Sequence, residues 1–265
     1  MTDAVLYEVA DHLATVTMNR PDVLNAGNRD LLEGLLSAFE TALDDDEVHA
    51  IVLTGTGRAF CSGADLDADA WWPEGMTPGQ GVGWILKHLW NPVATRIAHA
   101  AKPTVAAVNG VAVGGGVGLA LACDVVIAAE SASFIQVFVP QLAVVPDVGS
   151  TWHLPRLVGP ARARGMALLG DPLDAARAAD WGLIWECVPD ADLARRVREI
   201  AGRLGALDPA AAHAVTRVLE DSLRSGFDEQ LGREARVNAV LGDGPGFVEG
   251  VTAFAEKRAP RFRDG

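Results

Sequence analysis

The spacing of apolar residues divides the chain into a strand-rich first part and a helix-rich second part. Three short segments, residues 50–54, 104–108 and 125–128, are apolar on both faces, which is typical of buried parallel strands. Each is followed by a turn and a second short apolar segment, and these are residues 59–63, 111–114 and 132–135. An earlier segment, residues 12–18, alternates partly and ends at an Asn-Arg-Pro turn. The pattern predicts stacked layers of parallel strands with helices outside them.

Helical spacing first appears in residues 28–43, where apolar residues recur every three or four positions. After residue 160 it dominates, and we predict helices at 161–169, 172–181, 191–204, 209–224, 228–241 and 246–257. Asp171-Pro and Asp208-Pro are typical helix starts, and only residues 185–188 suggest a further strand. Residues 65–100 are the least regular stretch, and we expect a specificity-setting insert there, followed by a helix near 83–98.

No linker rich in proline or serine separates the two parts. We therefore predict a core over residues 1–200 and an appended helical region over residues 201–265. The last helices carry an apolar stripe that a monomer would leave partly bare, which favours self-association.

Composition and charge exclude several classes of protein. The 265 residues include 35 acidic and 22 basic side chains, so a net charge of −13 argues against binding nucleic acid or anionic lipid. Hydrophobic residues make up 49% of the chain, which excludes disorder. The 3 cysteines are widely spaced and indicate neither a disulfide framework nor a zinc site. The first residues lack a signal-peptide pattern, and we expect a cytoplasmic protein.

Two glycine-containing segments are the candidates for chemistry. Residues 57–65 and 109–118 each follow a buried strand, and the second leads into a helical sequence. Glycine lets a backbone N–H approach a ligand closely, and a helix N-terminus favours negative charge. Two such N–H groups converging on one oxygen would form an oxyanion hole. The alternative is that these glycines only allow strands and a helix to pack closely.

Several motifs in order resemble the enoyl-CoA hydratase/isomerase (crotonase) family. They are Asn19-Arg-Pro21, Leu24-Asn-Ala26, Ala59-Phe-Cys-Ser-Gly-Ala-Asp65, Lys102-Pro-Thr-Val-Ala-Ala-Val-Asn-Gly110, Gly114-Gly-Gly116, Ala122-Cys-Asp124, Pro146-Asp147, Gly149-Ser-Thr151 and Glu256-Lys-Arg258. The resemblance covers nearly the whole chain. It implies an α/β crotonase-type spiral of ββα units with a C-terminal helical layer. It also implies an acyl-CoA thioester substrate and an oxyanion hole made by the backbone N–H groups of Ala64 and Gly115.

The same resemblance implies where coenzyme A would bind. The matching positions are Val23, Leu24, Ser62, Ala64, Asp65 and Leu66. Phe262 and Arg263 resemble a segment that reaches the coenzyme A of a neighbouring subunit. Coenzyme A is then part of the substrate, so we expect no separate cofactor and no metal. The family's habit implies a homotrimer or a dimer of trimers.

Departures from the family pattern bear on the reaction. Hydratases of the family use two glutamates, and the matching positions here are Gly118 and Phe138. The stretch 137–145 is also one residue longer than usual, which weakens the alignment of Phe138. Where hydratases tend to have glycine, this chain has Asp147. The combination resembles isomerases that act on enoyl-CoA and ring-type acyl-CoA esters, in which one aspartate moves the proton. Judged from its neighbours alone, Asp147 could instead be a helix N-cap.

Two alternatives stay open at this stage. Hydration, or another crotonase-type lyase or hydrolase reaction, would need a second acid, and Asp67 and Glu74 are the nearby candidates. A non-catalytic acyl-CoA binding protein would keep the oxyanion cradle without turnover. The acyl group that binds is not determined by the motifs. Four tryptophans in the irregular stretch are either pocket walls or core anchors, and they are Trp71, Trp72, Trp84 and Trp90.

Overall fold

The computed structural model describes residues 3–66 and 71–263. The strands are β1 Val5–Ala10, β2 Leu13–Met18, β3 Ala50–Gly55, β4 Ala59–Cys61, β5 Thr104–Val108, β6 Val111–Val113, β7 Val125–Ala129, β8 Ser133–Ile135, β9 Leu173–Asp174 and β10 Glu186–Val188. The helices are α1 Arg29–Asp44, α2 Pro78–Ile85, α3 Asn91–Ala98, α4 Gly115–Leu121, α5 Ser150–Leu157, α6 Gly159–Leu169, α7 Ala175–Asp180, α8 Leu193–Gly205, α9 Pro209–Ser222, α10 Phe227–Gly242 and α11 Pro245–Glu256.

The strands form two sheets, and the chain alternates between them. The larger sheet has the order β1-β2-β3-β5-β7-β10, and the smaller has the order β4-β6-β8-β9. Each of the pairs β3–β4, β5–β6 and β7–β8 contributes its first strand to the larger sheet and its second to the smaller. Pairing is parallel except for β1 with β2 and β8 with β9. The predicted repetition of strand–strand–helix units in parallel layers is therefore confirmed.

The central strands are buried on both faces, which explains their continuous apolar sequences. In β3, Ile51 and Leu53 belong to one apolar cluster while Ala50 and Val52 belong to another. Alternate residues of a strand point to opposite faces, so the two clusters lie on the two sides of the sheet. Helix α8 covers one side, and α1 with the smaller sheet covers the other.

Several predicted elements need correction. The helix predicted over 172–181 is wrong at its start, because residues 173–174 form β9 and the helix begins at Ala175. Its N-cap is Asp174, whose side chain accepts a hydrogen bond from the backbone N–H of Arg177, and not Asp171. Asp208 is the N-cap of α9, as predicted. Strand β1 was not predicted. It is joined to β2 by a turn at Asp11 and His12, which both have positive φ angles although neither is glycine, so the sequence does not show the usual turn residues.

Two π-helical turns shape the surroundings of the glycine motifs. Residues Leu86–Trp90 form a π-turn between α2 and α3, so the three segments make one continuous helix. Pro92 is the second residue of α3, and proline has no N–H for the regular helical bond to the preceding turn. Residues Phe138–Leu142 form the second π-turn.

The C-terminal helices extend beyond the sheets. The predicted boundary between residues 200 and 201 lies inside α8, and α9 begins after it at Pro209. Within the described part of the chain, no helix is long and apolar enough to cross a membrane. The same residues hold no cluster of three or more histidine, cysteine, aspartate or glutamate side chains suited to a metal ion.

Candidate active site

The first glycine motif folds so that one backbone N–H is left unused. An isolated parallel bridge joins Gly27 to Ala64. In it, Gly27 donates to the Gly63 carbonyl at 2.6 Å and Asp65 donates to the Gly27 carbonyl at 2.8 Å. Ala64 lies between Gly63 and Asp65, which make these two bonds, so the N–H of Ala64 points away from Gly27. The N–H of the exposed Ala64 is therefore not used by this bridge.

The second glycine motif brings another free N–H close to the first. Gly115 is the first residue of α4, so its N–H has no acceptor within the helix. Gly63 has a φ of +90° and lies against this segment, since a β-carbon added at Gly63 would lie 3.7 Å from the Gly115 nitrogen. The structure thus brings together the two loops that carry the predicted oxyanion donors.

Trp90 packs behind both loops. A β-carbon added at Gly115 would lie 2.9 Å from Cζ3 of this indole, and one added at Gly27 would lie 2.5 Å from its Cζ2. The Trp90 side chain is only 2% exposed. With so little exposed surface, the ring supports the backbone of the two loops rather than offering a face to a substrate.

The loop that carries Asp147 rests on α4. A β-carbon added at Gly118 would lie 2.3 Å from the carbonyl oxygen of Val148, a distance that no side chain tolerates. Gly118 lies about one helical turn after Gly115, so Val148, the neighbour of Asp147, contacts α4 about one turn from the proposed oxyanion donor. On the other side, Cζ of Phe138 would lie 3.2 Å from a β-carbon at Gly114. The two positions that the resemblance matches to hydratase glutamates therefore hold a glycine packed on the Val148 backbone and a buried phenylalanine ring.

The carboxyl group of Asp147 is half-buried, and burial raises its pKa from 3.8 to about 6. Its own backbone N–H donates to the carboxylate and opposes the rise. The N-cap interpretation of Asp147 is wrong, because α5 begins after Gly149 and has no side-chain cap. The carboxylate is therefore not occupied by the helix. His153, in α5, is not protonated at neutral pH, because burial lowers its pKa to about 4.

An ion pair joins the two loops predicted to bind coenzyme A. Arg20 Nη2 donates to Asp65 Oδ2 at 2.9 Å, and the two side chains are 22% and 11% exposed. Arg20 Nη1 also donates to the carbonyl of Ala26, and its backbone N–H donates to Asn25 Oδ1 at 2.8 Å. One carboxylate oxygen of Asp65 accepts from Arg20, and the contact of Asp65 with coenzyme A stays a prediction. The sequence motif contained Arg20, yet its partner 45 residues away could not be identified from it.

The remaining predicted coenzyme A residues fall into two groups. Val23 and Leu66 are exposed, and the Ser62 hydroxyl donates to the carbonyl of Val23 at 3.3 Å, so these residues lie together with the half-buried Leu24 beside the oxyanion loops. Phe262 lies elsewhere. It lines a pocket with Leu13 and His49, at the opposite ends of β2 and β3 from the loops. Within one chain, Phe262 does not reach the other predicted coenzyme A residues.

The other tryptophans have different environments. Trp72 packs on Gly81, and Trp84 stacks on His88 with ring centroids 4.5 Å apart. The carbonyl of Trp71 accepts a hydrogen bond from Arg29 at 2.7 Å. The side chains of Trp71, Trp72 and Trp84 are partly buried and pack against the main apolar core, which favours the core-anchor alternative. Of the two carboxylates considered as a second acid, Glu74 is exposed and Asp67 lies outside the described residues.

Comparison with known proteins agrees with this geometry. The model of the "Enoyl-CoA hydratase/isomerase" family matches residues 8–265. A probable enoyl-CoA hydratase of Rhodobacter capsulatus is 44% identical over 97% of both chains. The 1,2-epoxyphenylacetyl-CoA isomerase of Escherichia coli is 38% identical over 99% of both. The crystal structure of an enoyl-CoA hydratase from Bacillus anthracis superposes with a TM-score of 0.90 at 31% identity, covering 99% of this chain and 100% of that one. The protein therefore has the crotonase fold and belongs to the enoyl-CoA hydratase/isomerase family of acyl-CoA enzymes.

Proposed function

We propose that this protein is an isomerase that moves a double bond in an unsaturated acyl-CoA thioester. In this mechanism the N–H groups of Ala64 and Gly115 bind the thioester oxygen. Asp147 takes a proton from C2 of a 3-enoyl group and returns it at C4. The oxyanion hole stabilises the dienolate that exists between the two transfers.

The proposal rests on which of the candidate positions beside α4 hold an acidic side chain. A hydratase must activate water with one group and protonate C2 with another, whereas a double-bond shift needs only one carboxylate. Gly118 cannot become a carboxylate without colliding with Val148, and Phe138 is a buried apolar ring. Of these three positions only 147 holds a carboxylate, and its pKa of about 6 suits a group which both accepts and donates a proton near neutral pH.

The similarity to the 1,2-epoxyphenylacetyl-CoA isomerase of Escherichia coli supports this reaction class. Because the chain is also similar to a probable enoyl-CoA hydratase, the experiment must distinguish isomerisation from hydration.

The decisive experiment offers the protein a 3-enoyl-CoA and a 2-enoyl-CoA in heavy water, beside Asp147→Asn. The proposal requires migration of the double bond, deuterium at C2 or C4, no 3-hydroxyacyl product, and loss of turnover in the variant. Formation of 3-hydroxyacyl-CoA by an active Asp147→Asn variant would place the proton-transfer group elsewhere. Measurable acyl-CoA affinity with no deuterium exchange in either protein would favour a non-catalytic binding protein.

We also propose that the chain self-associates as a homotrimer or a dimer of trimers. Helices α10 and α11 leave large apolar side chains open to solvent, among them Phe227 at 78% and Phe254 at 87% exposure. Exposed patches of this kind mark association surfaces. Light scattering on the purified protein tests this, and a mass equal to one chain at micromolar concentration would refute it.

A further inference from the structure

The turn that follows the proposed catalytic aspartate has an unusual backbone. Ser150 donates to the carbonyl of Asp147 at 2.9 Å, which closes a four-residue turn. Its two central residues, Val148 and Gly149, have φ angles of +49° and +78°. A turn with positive φ at both central positions favours glycine, asparagine and aspartate. A β-branched valine at its first central position is a marked exception.

Packing explains how valine is held there. Val148 is only 3% exposed, and its carbonyl oxygen and side chain face Gly118 of α4. A β-carbon added at Gly118 would lie 2.3 Å from that oxygen and 2.7 Å from Cβ of Val148. The valine side chain therefore fixes the turn on the helix whose first residue carries an oxyanion donor.

We propose that Val148 is a positioning residue, whose side chain, locked against α4 at Gly118, orients the Asp147 carboxylate toward the acyl group bound at Ala64 and Gly115. The inference rests on the proposed function of Asp147. A glycine at position 148 would adopt the same φ without strain, so the turn does not need valine in order to form. What valine adds is a contact that prevents the turn from moving on the helix.

The chain offers a matched control for backbone effects. Ala143 also has a positive φ, +55°, but is exposed and lies outside the turn. Replacement of either residue by glycine removes the strain of a side chain on a left-handed backbone. Only the replacement at 148 removes a side chain from the surface of α4.

The experiment compares Val148→Gly, Val148→Asn, Ala143→Gly and Asp147→Asn by kcat, KM and pH profile on the isomerisation. We expect Val148→Gly to fold and to keep its KM, while kcat falls about 10- to 100-fold, the scale of a misplaced catalytic group. We also expect the acidic limb of its pH–rate profile to move below pH 6, because an Asp147 carboxylate that is free to move becomes more exposed to solvent. No charged side chain of the described residues contributes to the pKa of Asp147, so burial, opposed by its own backbone N–H, sets that limb. Ala143→Gly should match the parent protein.

The variants separate the possible failures. Unchanged kcat and unchanged acidic limb in Val148→Gly, with Asp147→Asn inactive, would overturn the positioning role and leave the proposed function intact. An active Asp147→Asn would overturn both. If Val148→Gly does not fold, Val148→Asn decides, because asparagine tolerates the left-handed region but lacks the apolar contact of valine with α4, so the same fall in kcat and the same shift of the acidic limb are expected. A parent-like pH profile with a lowered kcat in Val148→Asn would also contradict the role, because the carboxylate would not have moved.

Discussion

Replacing Asp147 with asparagine should make the protein more stable at neutral pH while abolishing turnover. The substitution keeps the shape of the side chain and removes only its charge. The charge is expensive because the carboxyl group is half-buried, accepts only its own backbone N–H among the described residues, and has no cationic partner there. A buried carboxylate of this kind favours its protonated form.

The rise in pKa sets the size and sign of the effect. A rise from 3.8 to about 6 corresponds to about 3 kcal/mol at 1.36 kcal/mol per tenfold change in acidity. This is an upper figure, because the side chain keeps some contact with water. The folded state holds the proton more tightly than the unfolded state. The contribution to stability is therefore complete below pH 4 and is lost as the pH rises to about 6.

Urea denaturation of the parent and Asp147→Asn at pH 3.5 and at pH 7.5 measures this directly. The difference in unfolding free energy between the two proteins should shift in favour of the variant by about 1 to 3 kcal/mol on going to pH 7.5. Because the comparison uses the difference in unfolding free energy between the two proteins, the contributions of groups that titrate equally in both cancel. A variant whose advantage is the same at both values, or which is less stable only at pH 7.5, would refute a desolvated carboxylate at this position.

Three further substitutions test other parts of the site. Arg20→Gln should lower the free energy of unfolding by about 1 to 3 kcal/mol, because Asp65 loses its partner. It should also lower kcat by up to about 10²-fold, because the loop that carries Ala64 becomes less firmly held. Denaturation measures the first effect and a steady-state assay the second. A stable, fully active Arg20→Gln would show that the ion pair is dispensable. Trp90→Ala should lose about 3 to 5 kcal/mol and most of the activity, whereas Trp90→Phe should lose less; equal melting temperatures would contradict the packing. Gly118→Glu should destabilise the protein by displacing Val148, and product analysis should find no 3-hydroxyacyl-CoA; efficient hydration would disprove the steric block.

The sequence was sufficient where the burial of an element is visible in its own residues. Strands β3, β5 and β7 are apolar on both faces because both faces are covered, so the pattern predicts them directly. The helical spacing of residues 28–43 reflects one buried face, and α1 follows it. The order of the motifs indicated which loops would meet, and the structure brings the Ala64 and Gly115 segments together.

Features that depend on distant contacts were not predictable in this way. Trp90 is one of four tryptophans in an irregular stretch, and only the fold shows that it alone packs on Gly27 and Gly115. Local sequence even favoured the wrong role for Asp147, because aspartate before a helix usually caps it. The helix instead begins after a left-handed Val148–Gly149 pair, a conformation that no propensity assigns to valine.

The contact between Gly118 and Val148 also constrains how this protein can change over generations. A glutamate at position 118 is obstructed as long as the turn occupies its place, so that substitution is harmful until the turn has moved. In the proposed mechanism a turn that has moved would no longer hold Asp147 in place. The contact therefore couples positions 118 and 148, so that the effect of a replacement at one position depends on the residue at the other.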